Sequence, residues 1–152
     1  AILECPLPGY KTIPAPPGGY ALGRLDSGAA NGRGTALLSD DKLEATCSDG
    51  FPTVGLKDIP LLTSGKYYYE VTVVVDRAVQ LGWVREDANI DGTGNGVGDD
   101  EFGFAFDGNR EMTWPDKKTI PNSRWQAGDV IGCAIDIDSR RMSFFINGRL
   151  VV

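Results

Sequence analysis

Apolar and polar residues alternate through the second half of this chain. Five stretches show it: Lys66–Val75, Val79–Val84, Phe102–Phe106, Asp129–Ile137 and Arg141–Gly148. In each, every second residue is apolar. The sets are Tyr67, Tyr69, Val71 and Val73; Val79, Leu81 and Trp83; Phe102, Phe104 and Phe106; Ile131, Cys133, Ile135 and Ile137; and Met142, Phe144 and Ile146. Successive side chains of a strand point to opposite faces, so a period of two marks a strand with one buried face. Asp107-Gly108-Asn109, Asp138-Ser139 and Asn147-Gly148 read as turns, and Asn-Gly is the strongest short hairpin signal in the chain. Strands in this number predict an all-β fold, a bent β-sandwich of two antiparallel sheets. Trp83 alternates with Leu81 and Val79 and is assigned to the core.

The first half is less regular. Residues 1–19 carry Pro6, Pro8, Pro14, Pro16, Pro17, Gly18 and Gly19 and predict an extended arm rather than a helix. Gly28–Gly34 reads as a loop. Thr35–Leu38, a Ser39-Asp40-Asp41 turn and Lys42–Cys47 predict a first hairpin; Ser48-Asp49-Gly50 reads as a turn and Thr53–Ile59 as a short strand. The segment from Arg85 to Glu101 stands apart. It is long for a connection inside a compact domain, and such loops are usually functional or disordered.

Length and charge narrow the field. With 152 residues the chain reads as one domain, large enough to bury a core without disulfides. Ala1 stands where a start methionine would, so the chain is read as a fragment of a larger protein. A net charge of -6 argues against a nucleic-acid partner. No apolar run is long enough to span a bilayer and no signal peptide is evident. Cys5, Cys47 and Cys133 are an odd count without metal-ligand spacing, which favours a reducing compartment, the cytoplasm.

Candidate chemistry concentrates in the long loop. Asp87-x-Asn89-x-Asp91-Gly92 matches the opening of a calcium-binding loop, where alternate oxygens converge on one hard cation. Asn95 falls at a further ligand position, but the closing bidentate position is Gly98, and a solvated acidic loop is the alternative. The chain has no histidine, which removes the commonest general base and the usual Ser-His and Cys-His pairs. Gly92, Gly94, Gly96 and Gly98 have no lysine after them and form no phosphate loop. The chain is therefore read as non-catalytic, with no cofactor beyond the calcium candidate. A protein-binding edge fits better: acidic loop residues would steer a basic peptide, and Arg110, Trp114 and Trp125 are the residue types that anchor interfaces. Trp125 reads more strongly as packing beneath the Gly128-Asp129 turn. A calcium-dependent lectin-like module is a further alternative, resting on fold analogy alone.

Five stretches carry a family resemblance: Ser64–Val71, Leu81-Gly82-Trp83, Phe102–Gly108, Gly128–Asp136 and Ser143–Gly148. In this order and spacing they resemble a SPRY (B30.2-like) domain. Gly96–Glu101 looks most like SPRY domains attached to RING-type ubiquitin ligases. Asp100–Trp114 with Trp125–Asp129 also looks like the SPRY repeats of ryanodine receptors. The resemblance implies a bent sandwich that binds a protein or peptide through loops at one edge, without catalysis. A substrate-recruiting domain of a ubiquitin ligase is the expected role; a structural or regulatory domain of an intracellular calcium-release channel is the alternative. The partner-binding residues expected on this basis are Arg85, Asp87, Asn89, Asp91, Asp99, Asp100, Arg110 and Trp114. SPRY domains usually continue past the Asn-Gly hairpin, so further strands are expected from elsewhere.

Overall fold

The computed structural model describes residues 7–12, 22–24, 34–56, 59–90 and 95–152. Twelve strands are present among them, and no helix. They are β1 (Lys11–Thr12), β2 (Leu22–Arg24), β3 (Gly34–Leu38), β4 (Ala45–Gly50), β5 (Val54–Leu56), β6 (Lys66–Thr72), β7 (Leu81–Val84), β8 (Gly103–Asp107), β9 (Met112–Trp114), β10 (Val130–Asp136), β11 (Arg141–Ile146) and β12 (Arg149–Leu150). One sheet runs β1-β6-β10-β11-β12 and another β7-β8-β9; β2-β5 and β3-β4 form two-stranded ribbons. Apart from the parallel β1–β6 pair, every pairing is antiparallel.

The core lies between the five- and three-stranded sheets. It contains Val73, Phe106, Trp125, Ile131, Cys133, Phe144 and Ile146, with Tyr69, Leu81, Phe104 and Met142 packed around them. Aromatic rings carry the contact between sheets: Phe106 and Phe144 are 5.8 Å apart, Phe104 and Phe144 6.1 Å, and Tyr69 and Trp83 5.1 Å. Each large side chain buried this way contributes about 1.5–3 kcal/mol. Asn147 and Gly148 both have positive φ, 49° and 77°, the geometry that a two-residue hairpin turn requires.

The alternating pattern overruns the sheets in two places. β6 ends at Thr72, opposite Val130, and the pairing closes one residue on, where the Val73 N–H donates to the Asp129 carbonyl and the Gly128 N–H to the Val73 carbonyl. Val75, the next residue in the apolar phase, is past that closure and 59% exposed. Val79 lies before β7 and is 42% exposed, so it does not join the core as its spacing predicts. The Ser48-Asp49-Gly50 turn is instead the end of β4, which stays paired to Gly34↔Gly50 across a register shift. Asp49 holds that shift by accepting a hydrogen bond from the Thr35 N–H at 2.8 Å. Tyr68, on the face opposite Tyr69, is also buried. It lies over Gly132 and meets the edge of Phe145 at 6.2 Å. Of the Pro/Gly-rich arm, Lys11–Thr12 pairs with the edge of β6, and Tyr10 lies 5.7 Å from the Lys66 ammonium; residues 1–6 and 13–19 lie outside the described residues.

Two ionisable groups are tied to this framework. Asp136, near the start of the β10–β11 turn, accepts hydrogen bonds from Ser139 and pairs with Lys66 at 3.1 Å. Those contacts, Ser139 first, hold its pKa at about 2, against an ordinary 3.8. A carboxyl depressed in the folded state stabilises the fold above its unfolded pKa, and that stability is lost as pH falls through the folded value. The melting temperature should therefore fall more steeply between about pH 4 and pH 2 in the wild type than in Asp136→Asn; parallel acid limbs would contradict this. Burial pushes the Cys133 thiol up to about 12, while Cys47 is exposed. At pH 8 roughly one Cys133 in ten thousand is thiolate. Iodoacetamide should modify Cys47 in the native protein and reach Cys133 only after unfolding, as peptide mass mapping would show. Cys5 lies outside the described residues.

Candidate recognition edge

The segment between β7 and β8 leaves and rejoins adjacent strands. The Arg85 N–H extends the ladder to the Phe102 carbonyl at 2.8 Å, beyond the Val84↔Gly103 pair. Carboxylates then fold the loop locally, as Asp side chains do when they accept from nearby backbone N–H groups. Asp100 accepts from Asn89 N at 2.8 Å and from Phe102 N at 2.9 Å. Asp99 accepts from Gly96 N at 2.7 Å and from the Gln80 side-chain amide at 2.9 Å. Asp87 pairs with Arg85 at 2.7 Å, both exposed. Asp91 lies outside the described residues. Among the described residues no three His, Cys, Asp or Glu side chains are placed to share a metal ion.

Gln80 links this loop to the β8–β9 hairpin. Its amide nitrogen also donates to the Val97 carbonyl at 2.9 Å, and its oxygen accepts from Arg110 at 3.3 Å. Arg110 donates from Nε to the fully buried Asp107 at 2.6 Å and lies 4.6 Å from the centre of the Trp114 ring. Asp107 further accepts from the Asn109 and Arg110 N–H groups at 2.8 and 3.1 Å. Lys117 adds a second cation 5.4 Å from the same ring. Trp114 is half-buried, and its indole N–H has no partner among the described residues. Gly98 closes the contact: at φ +86°, its backbone sits where a Cβ would come within 2.9 Å of the Trp114 Cβ. Only glycine combines that φ with that approach.

The structure thus joins Asp99, Arg110 and Trp114 into one linked set and gathers Arg85, Asp87, Asn89 and Asp100 at the base of the loop. Trp125 lies elsewhere. It is fully buried, as its reading as a packing residue expects, against Gly108 and edge-on to Phe106 at 5.5 Å.

Beside the loop is an open groove of about 430 Å³. Phe102, Phe104, Met142 and Pro115 supply its apolar lining, with Arg85, Glu101 and Asp116 at its margins. The Arg85 guanidinium lies 4.7 Å from the centre of the Phe102 ring. A smaller depression of about 240 Å³ shares Phe104 and Met142 and extends to Arg140 and Val152. Sequence reasoning missed Gln80, Asp107, Phe102 and Met142 as parts of this edge. Phe102 and Met142 were legible only as core alternation, and the groove appears where that core reaches the surface.

The sequence profile of the SPRY domain matches residues 66–152. This chain belongs to the SPRY family. Similar proteins include the E3 ubiquitin-protein ligase RKP of Arabidopsis thaliana, 38% identical over 55% of this chain and 6% of the ligase. The ATP-dependent RNA helicase DDX1 of Xenopus laevis is 32% identical over 58% of this chain and 11% of the helicase. The SPRY chain thus spans a small part of either relative. SPRY domains are in general protein-interaction modules without catalysis of their own. Among the described residues, no helix of this SPRY domain is long and apolar enough to cross a membrane.

Proposed function

We propose that this SPRY domain recruits a protein partner through the edge between residues 85–102 and 107–118. We further propose that it serves as the substrate-recruiting domain of a ubiquitin ligase. The observation that carries the first reading is the groove: Phe102, Phe104, Pro115 and Met142 form a surface depression beside charged Arg85 and Glu101. Apolar anchors within a polar rim are the usual anatomy of a protein interface. Support for the second is the likeness to the ligase of Arabidopsis thaliana. In this reading Arg85, Arg110 and Trp114 face the partner. Asp99 and Asp100 set the shape of the edge, Asp87 and Asn89 flank it, and Asp91 is proposed to contribute to recognition as part of the same acidic sequence. A ligase role implies the reducing interior of the cell, which suits the free thiols of Cys47 and Cys133.

Affinity capture from a lysate tests the reading, using wild type and a Phe102→Ala/Arg85→Glu variant, each with calcium and with a chelator. A discrete partner lost in a variant that still melts cooperatively is the expected result. A partner retained by that variant would move recognition off this edge. A partner held only in calcium would assign a metal to the loop carrying Asp87, Asn89 and Asp91.

A further inference from the structure

We infer that Asn147-Gly148 is a deamidation site gated by unfolding. Hydrogen bonds hold the asparagine inert in the folded domain, it converts once the chain opens, and the product rebuilds a weaker hairpin. The only co-reactant is water.

The sequence supplies the reactive pair. Asparagine loses ammonia most readily when glycine follows, because glycine has no side chain to hinder its own nitrogen. Hydroxide takes the Gly148 N–H proton and the nitrogen attacks Asn147 Cγ. The Cγ–Nδ2 bond breaks, and the departing nitrogen takes a proton from water and leaves as ammonia. Water then opens the five-membered imide at either carbonyl, giving aspartate or isoaspartate; nothing is oxidised or reduced. Asn147 and Gly148 are both exposed, and a Cβ built on Gly148 would meet no atom within 4 Å beyond its chain neighbours. Burial therefore does not shield the pair.

The fold shields it by occupying the carboxamide. Asn147 Oδ1 accepts from the Val130 N–H at 2.9 Å, and Nδ2 donates to Asp129 Oδ1 at 2.8 Å. The Asn147 N–H reaches the Val130 carbonyl at 2.8 Å. Attack needs the carboxamide to turn toward the Gly148 nitrogen, which breaks both side-chain bonds. Asp129 is itself fixed: its Oδ2 accepts from the Gln126 N–H at 2.7 Å, and its carbonyl from the Val73 N–H at 2.9 Å. The clamp opens when the start of β10 parts from the β11–β12 turn, a local opening with its own free energy. Conversion in the folded domain is slowed by the small fraction of time spent open.

The product undoes the clamp. Aspartate at this position sets a carboxylate oxygen against Asp129 Oδ1, where Nδ2 had donated, and like charges so close repel. Isoaspartate lengthens the main chain by one carbon inside the two-residue turn that sets the Ile146↔Arg149 pair.

The test follows conversion of the whole 152-residue chain at mildly alkaline pH, with and without denaturing urea. Asn31-Gly32 and Asn95-Gly96 are further Asn-Gly pairs, so conversion is read on the digested peptide holding Asn147, as the mass gained when an amide becomes an acid. Conversion should be at least tenfold slower in the folded chain. Asp129→Ala frees Nδ2 and should raise the folded-state rate at least threefold, with exchange of the Ile131 and Phe144 amides measured alongside to establish that the sandwich is intact. Asn147→Asp should lower the urea midpoint, and chains converted in urea should refold with a lowered midpoint too. Equal rates with and without urea would overturn the inference. So would an intact Asp129→Ala that converts as slowly as wild type, or an Asn147→Asp chain as stable as wild type.

Discussion

Asp107→Ala is expected to destabilise the domain by about 2–4 kcal/mol, more than loss of an exposed ion pair would explain. The carboxylate is fully buried at the end of β8 and accepts from Asn109 N, Arg110 N and Arg110 Nε. Truncation leaves two turn N–H groups and a guanidinium without their acceptor. The damage should spread, because Arg110 also holds Gln80, and Gln80 holds Val97 and Asp99. Urea denaturation should show a lower midpoint with an unchanged slope, and amides from Gly96 to Asp99 should exchange faster. Arg110→Lys keeps the charge but loses the planar fork and the stack on Trp114. It should cost under about 1 kcal/mol, since the arginine side chain is already more than a third exposed. Equal losses in the two variants would contradict the central role given to Asp107.

Trp125→Ala should have the larger effect, about 3–5 kcal/mol, the range for emptying an aromatic site in a closed core. Trp125 is the largest fully buried side chain described, set between Phe106 and the Gly108 backbone. Its indole N–H has no partner among the described residues, so Trp125→Phe forfeits volume but no hydrogen bond. It should recover more than half of the loss. Calorimetry of both variants checks this, and a cooperative melt within a few degrees of wild type for Trp125→Ala would refute the placement.

Much of the sandwich was legible in the alternation. β8, β10 and β11 fall within the stretches that predict them, because their apolar faces meet in one core. Val75 and Val79 show the limit: periodicity records which residues could face a core, whereas the extent of strand pairing decides which of them do. Tyr68 shows another, since reading one buried face overlooks a ring covering the second. The edge was legible in outline as the long loop. Its acids read as free charge for a partner, but Asp100 accepts from two backbone N–H groups, those of Asn89 and Phe102, and Asp99 from the Gly96 N–H and the Gln80 side chain. Local backbone N–H groups compete first for such carboxylates, and composition does not reveal that competition. Gln80 and Gly98 carry no sequence signal of their own, because their roles arise from a close approach between segments distant in sequence.

The central claim is that some charges of this edge shape it while others are offered to a partner. Melting and partner capture measured together on Asp100→Ala and Glu101→Lys test it most directly. Asp100 holds Asn89 and Phe102, whereas Glu101 is exposed at the groove margin. Asp100→Ala should lower the melting temperature, and Glu101→Lys should leave it unchanged while altering capture. Capture unchanged in Glu101→Lys, with Asp100→Ala as stable as wild type, would contradict it.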